Sequence, residues 1–153
     1  MILRCTNKKD ISRIINHPKI YKLISDDLSP KTYIPIINES VLWVINEEKT
    51  GVIKVEVVNG ITCQVHITVL PELWGKAKDF IIEATRWFFD NTKYLKIITL
   101  IPTYNRLAIR LAEKCGMKKE GCIKKSFLKN WKIYDQLVYG FTKIEFKEAL
   151  CQQ

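Results

Sequence analysis

Apolar and polar residues alternate strictly through the middle of the chain. In VIKVEVV (52–58), Ile53, Val55 and Val57 alternate with Lys54 and Glu56. TCQVHITVL (62–70) puts Cys63, Val65, Ile67 and Val69 on one face, and Gln64, His66 and Thr68 on the other. A period of two predicts half-buried strands. VLWVINE (41–47) reads as a strand before them, and Asn59-Gly60 between them is a strong hairpin signal. Residues 41–70 are therefore expected to form an antiparallel meander. LKIITLI (95–101) is a nearly continuous apolar run, the pattern of a strand covered on both faces.

Elsewhere the apolar residues fall at helical spacing. Ile11, Ile14 and Ile15 follow Asn7, and Pro18 ends or interrupts that helix. Ile20, Leu23 and Ile24 suggest a second short helix over about 19–25. A longer one, about 76–91, carries Phe80, Ile81, Ala84, Trp87 and Phe88 as a wide stripe. The last, about 105–115, is expected to bury Leu107, Ala108, Leu111, Ala112 and Cys115, with Gly116 as its left-handed stop. A basic turn should follow, then a closing hairpin of 122–128 and 134–141 around Asn130. Ile2, Leu3 and Cys5 read as a short first strand, 26–40 as a connecting loop, and 143–150 as a short helix or strand. Strand, helix and strand over 62–101 make a βαβ unit. The whole reads as one domain, 1–153, of α+β class.

Composition narrows the chemistry. With 47% hydrophobic and 27% charged residues, the 153-residue chain is globular. Arg4 follows only three apolar residues, and the longest apolar runs are far too short to span a bilayer, so no signal peptide, membrane segment or membrane partner is expected. Cysteines at 5, 63, 115, 122 and 151 include no CxxC pair, and there are two histidines. Free thiols in a reducing cytoplasm are expected, with no metal site. The net charge is +9, and seven lysines face a single acid, Glu120, between Lys114 and Lys132. Such a field favours an anionic partner, whether a phosphorylated cofactor, an acidic protein or nucleic acid; a solvated lysine-rich face is the plain alternative. Nucleic acid is the least favoured, since no recognised binding module is present.

Two stretches carry a family resemblance. NRLAIRLAEKCGMKKEG (105–121) resembles the fourth-helix motif of the GNAT superfamily of N-acetyltransferases through Asn105, Ala108, Leu111, Glu113, Lys114, Gly116, Glu120 and Gly121. VLPELWGKA (69–77) resembles that superfamily's cofactor loop. The resemblance implies a three-layer arrangement: a mixed, mostly antiparallel central sheet of six to seven strands, flanked by helices, with a splay between the fourth and fifth strands. It implies acetyl-CoA as co-substrate. Val69 and Leu70 would touch its arm through backbone groups, Trp74, Gly75, Lys76 and Ala77 would lie at the pyrophosphate, and Asn105 would stand beside the pantetheine. A tight turn opening a helix suits a pyrophosphate in any case, because its N–H groups are unclaimed. Asn105 is equally suited to cap the following helix. The small residue expected late in the loop is replaced by Asp79.

Acetyl transfer to an amine needs a base, a donor for the developing oxyanion and an acid for the departing thiolate. His66 and Glu56, on the polar faces of neighbouring strands, are the candidate bases. Many members of the superfamily have a tyrosine acid where this chain has Ala112, which leaves Tyr104, with Tyr134 and Tyr139 behind it, as the candidate acid. The reading is an N-acetyltransferase that acts on a primary amine (a protein N-terminus, a lysine or a small amine) by direct attack in a ternary complex. Residues 8–40 would form much of the acceptor wall. A fold that binds a partner without catalysis is the alternative, and a homodimer is left open.

Overall fold

A computed structural model describes residues 1–152. Seven strands form one sheet in the order β1-β2-β3-β4-β5-β7-β6. These are β1 (Ile2–Arg4), β2 (Val41–Asn46), β3 (Gly51–Val57), β4 (Thr62–Val69), β5 (Lys96–Pro102), β6 (Lys118–Lys129) and β7 (Lys132–Thr142). Every neighbouring pair is antiparallel except β4 with β5. The helices are α1 (Lys8–Ile15), α2 (Pro18–Ile24), α3 (Ala77–Asn91), α4 (Arg106–Lys114) and α5 (Lys143–Cys151). Among the described residues, no helix is long and apolar enough to cross a membrane.

The alternation read from the sequence sorts side chains into two cores. Ile53, Val55, Cys63 and Val65 pack against Phe80, Ile81, Ala84 and Phe88 of α3. On the opposite face, Trp43, Ile45 and Val52 pack under Ile11, Ile14, Ile15 and Ile20 of α1 and α2. The polar face of β3 and β4, with Lys54, Glu56, Gln64 and His66, lies beside this second core.

Several boundaries differ from the pattern-based reading, each for a local reason. Pro18 begins α2 at its first position, where its missing N–H costs nothing. Asn59-Gly60 does mark the β3–β4 hairpin, but neither residue takes a positive φ. The loop is wider, held by Asn59 Oδ1 accepting from Ile61 and Thr62 N–H at 3.0 Å each. The expected basic turn after Gly116 is already strand: β6 starts at Lys118 and pairs with Gly140 and Tyr139, with a bulge at Glu120. Its polar sequence suits an exposed edge strand, which periodicity does not reveal. Leu107, expected in the core, is 79% exposed, while Ile109 packs against it instead.

Gly116 stops α4 at φ +90, and a Cβ there would stand 2.7 Å from Ala149 Cβ on α5. Gly116→Ala should therefore lose about 2–4 kcal/mol, from left-handed strain plus overpacking. A urea midpoint unchanged from the parent chain would show that α5 moves aside freely.

Candidate functional site

Strand register opens the sheet on one side. β4 and β5 pair only through Thr62–Lys96, Cys63–Ile97 and Gln64–Ile98. Beyond these pairs β4 continues against β3 alone, and β5 against β7 alone. The two parallel strands thus diverge toward their C-terminal ends, leaving a gap. Leu70 N–H donates to Thr50 O at 2.7 Å, and Val58 N–H to Thr62 O at 3.0 Å. Main-chain groups alternate sides along a strand, so the even-numbered residues of β4 face β3. Ile67 and Val69 then aim their N–H and C=O groups into the gap, where no strand receives them. Of the two residues the sequence suggested, Val69 faces the gap; the Leu70 amide is already engaged with Thr50, just before β3. Ile67 was missed, though its parity with Val69 is readable from the alternation.

Pro71 ends β4 and opens a 3₁₀ turn, Pro71–Lys76, that runs directly into α3. Neither N-terminus has a side-chain cap. Leu73 N–H donates to Leu70 O at 2.9 Å and Ala77 N–H to Trp74 O, so the turn offers an anion the positive end of the helix dipole and whatever N–H groups those bonds leave over. Gly51 lets this turn sit close against β3, since a Cβ at 51 would come within 2.8 Å of Leu73 and Phe80. Gly75 faces open space, with nothing within 4 Å of an added Cβ. Trp74 and Lys76 are exposed, whereas Ala77 is buried and owes its small size to core packing. Asp79 is exposed in the first turn of α3, where a carboxylate favours the helix dipole. Asn105 caps α4, its Oδ1 accepting from Ala108 N–H at 3.1 Å. Behind the gap, Val65, Ile67, Ile81, Ile97 and Met117 line an apolar cavity of about 20 Å³. It has room for about one water, so it is not a ligand site.

Two of the candidate catalytic residues meet. Glu56 Oε2 lies 2.8 Å from His66 Nε2, and Glu56 Oε1 lies 2.7 Å from Lys54 Nζ. Gln64 Nε2 approaches His66 Nε2 at 3.1 Å. Desolvation pushes the His66 pKa down, Lys54 adds to this, and Glu56 opposes it; the result lies below 6.5. The imidazole is therefore neutral at pH 7. Burial pushes the Glu56 carboxyl up, but Lys54 and His66 outweigh it and hold the group below its usual range. Lys54 was not singled out from the sequence, although its place two residues before Glu56 puts it on the same face.

Tyr104 stands apart from that pair. Its ring meets Tyr134 at 4.8 Å and Phe127 at 6.1 Å between centroids. Its hydroxyl is buried and makes no hydrogen bond. Burial, then Tyr134 and Asp27, raise its pKa, so it holds its proton at neutral pH. Asp27 fastens the 26–40 loop over this cluster, accepting from Asn130 N–H at 3.0 Å and Trp131 N–H at 2.7 Å. No local sequence signal could reveal a contact between residues so far apart in the chain. Tyr139 is buried and donates to Glu113 Oε1 at 2.8 Å, and Ala112 is 8% exposed within the core. Burial pushes the Cys63 and Cys115 thiols up to about 11, so both stay protonated.

No family model matches the chain. It is similar to an SPbeta prophage-derived uncharacterized N-acetyltransferase of Bacillus subtilis, 37% identical over 73 residues, which are 48% of this chain. The match spans only 41% of that relative's length. Among solved structures, it resembles spermidine N-acetyltransferase from Vibrio cholerae in complex with CoA and spermine, with a TM-score of 0.77 at 18% identity. That likeness covers 96% of this chain and 97% of the other. A Streptococcus mutans protein superposes with a TM-score of 0.70 at 14% identity, over 93% of this chain and 98% of its own. The seven-stranded mixed sheet, open between β4 and β5 and flanked by helices, is the fold of the GNAT superfamily.

Proposed function

We propose that the chain is an acetyl-CoA-dependent N-acetyltransferase acting on a primary amine by direct attack in a ternary complex. The observation that carries this reading is the gap between β4 and β5, with His66 on the strand that borders it. An uncapped turn follows the same strand. The residues present fit the co-substrate. The N–H groups of the turn and the first turn of α3, with Gly75 and Lys76, would hold the pyrophosphate. Main-chain groups of Ile67 and Val69 would align the arm, and Asn105 Nδ2 is free to donate to it. Acetyl-CoA, when bound, supplies an activated thioester.

The chain's own groups then divide the proton work. Neutral His66 takes a proton from the amine, and Glu56 stabilises the imidazolium formed. The amine nitrogen bonds to the acetyl carbon as the carbon–sulfur bond breaks. An N–H of Ile67 or Val69 donates to the carbonyl oxygen as negative charge develops there. Tyr104, protonated and without a partner, is the proton donor for the sulfur. The protonated state of Cys63 and Cys115 supports direct transfer over a route through either thiol. Five unpaired thiols favour a cytoplasmic setting.

Acetyl-CoA at 100 times its Kd should stabilise the fold by about 2.7 kcal/mol, read as a thermal shift. The absence of any shift at millimolar acetyl-CoA would sink the reading.

A further inference from the structure

Resting on the transfer reaction proposed above, we infer that the acceptor is a monoamine with an uncharged, apolar body. The half of the sheet beside His66 is apolar on the same face. Ile97 and Ile101 of β5 join the core under α3, which turns Ile98 and Leu100 to the other face. Tyr139 and Phe141 of β7 join the same core, which turns Tyr134 and Val138 to that other face as well. Ile98, Leu100, Tyr134 and Val138 are all only partly buried. The α1–α2 layer packs over β2 and β3, and the 26–40 loop, held by Asp27, reaches the aromatic end of this strip, whose residues stay partly exposed.

Register joins the strip to the base. Ile98 pairs with Gln64, so Leu100 stands two residues along β5 as His66 does along β4. Val138 pairs with Leu100. His66, Leu100 and Val138 therefore form one row across the sheet, interrupted only by the gap through which the acetyl group would be presented. Further along, Gln136 adds one uncharged polar group on this face, and Tyr134 and Tyr104 close the strip with aromatic rings. An amine at His66 would lay its body over Leu100 and Val138 toward those rings, where burying hydrocarbon is favourable.

Charge argues against a polyamine. Each ammonium of such a substrate needs a carboxylate, and the nearby acids are engaged. Glu56 holds Lys54 and His66. Asp135 turns to the opposite face of β7 from Tyr134 and Val138, and there holds Lys124 and the Lys125 N–H. Asp27 accepts from Asn130 and Trp131 N–H. The chain as a whole, at +9, also repels a polycation.

The test compares kcat/KM for phenethylamine and spermidine, in the parent chain and in Val138→Asp, with acetyl-CoA affinity measured by calorimetry alongside. Phenethylamine should be the better substrate by at least about tenfold. Val138→Asp should remove most of that advantage while leaving acetyl-CoA affinity unchanged. Spermidine equal to or better than phenethylamine in the parent chain overturns the inference and leaves acetyl transfer standing. Failure of acetyl-CoA to bind overturns the transfer reading instead. The apolar strip is then judged by NMR of the Leu100 and Val138 methyl groups: shifts on adding phenethylamine support it, and their absence overturns it.

Discussion

Gly75→Glu is expected to abolish acetyl-CoA binding while the protein stays folded. The separation is possible because Gly75 is exposed, faces open space and has no left-handed φ that only glycine tolerates. A Cβ at 75 therefore meets no protein atom. It does place a carboxylate against N–H donors and a helix dipole that suit an anion, at the point where a pyrophosphate would approach. Losing charge-assisted hydrogen bonds and adding repulsion should cost at least about a hundredfold in affinity, or about 2.7 kcal/mol. Gly75→Ala supplies the steric control, with a much smaller loss. Calorimetry reads the affinity, and a thermal melt without ligand reads the fold. Affinity retained in Gly75→Glu would move the phosphate site away from this turn.

The second large effect is on turnover. His66→Ala should lower kcat by about a hundredfold or more, the usual worth of a positioned base, with acetyl-CoA affinity unchanged. The pH dependence gives the sharper check. The His66 pKa is lowered, so its neutral, proton-accepting form prevails above a pKa that lies under 6.5. In the parent chain kcat should rise with pH through that value and then level off. Glu56 raises this pKa by favouring the imidazolium, so Glu56→Gln should move the acid limb to lower pH. Lys54 acts in the opposite sense, so Lys54→Met should move it up. An acid limb that ignores all three substitutions would make the cluster structural.

Much of this was legible in the residues themselves. Alternation over 52–69 assigns the faces of β3 and β4 as the structure has them, which puts Glu56 and His66 on one surface. The motif at 105–121 pointed to the fold, and Asn105 does cap α4 as its residue type suggested. Residue type alone says least where geometry depends on a neighbour. Leu70 looked equivalent to Val69, and only its bond to Thr50 shows that its amide points the wrong way. Ala77 looked like a small residue making room for a ligand and is instead a core residue.

Local sequence determined the elements, because hydrophobic period and punctuation are properties of short segments. It determined the two cores for the same reason, since a strand's alternation decides which side chains share a face. Tertiary structure alone decided the site. The gap exists because β4 and β5 stop pairing after Gln64 and Ile98. The 26–40 loop is held by Asp27 reaching Asn130 and Trp131 across the chain. Neither depends on any residue pattern along the backbone; each is a contact between distant segments, fixed only when the whole sheet is assembled.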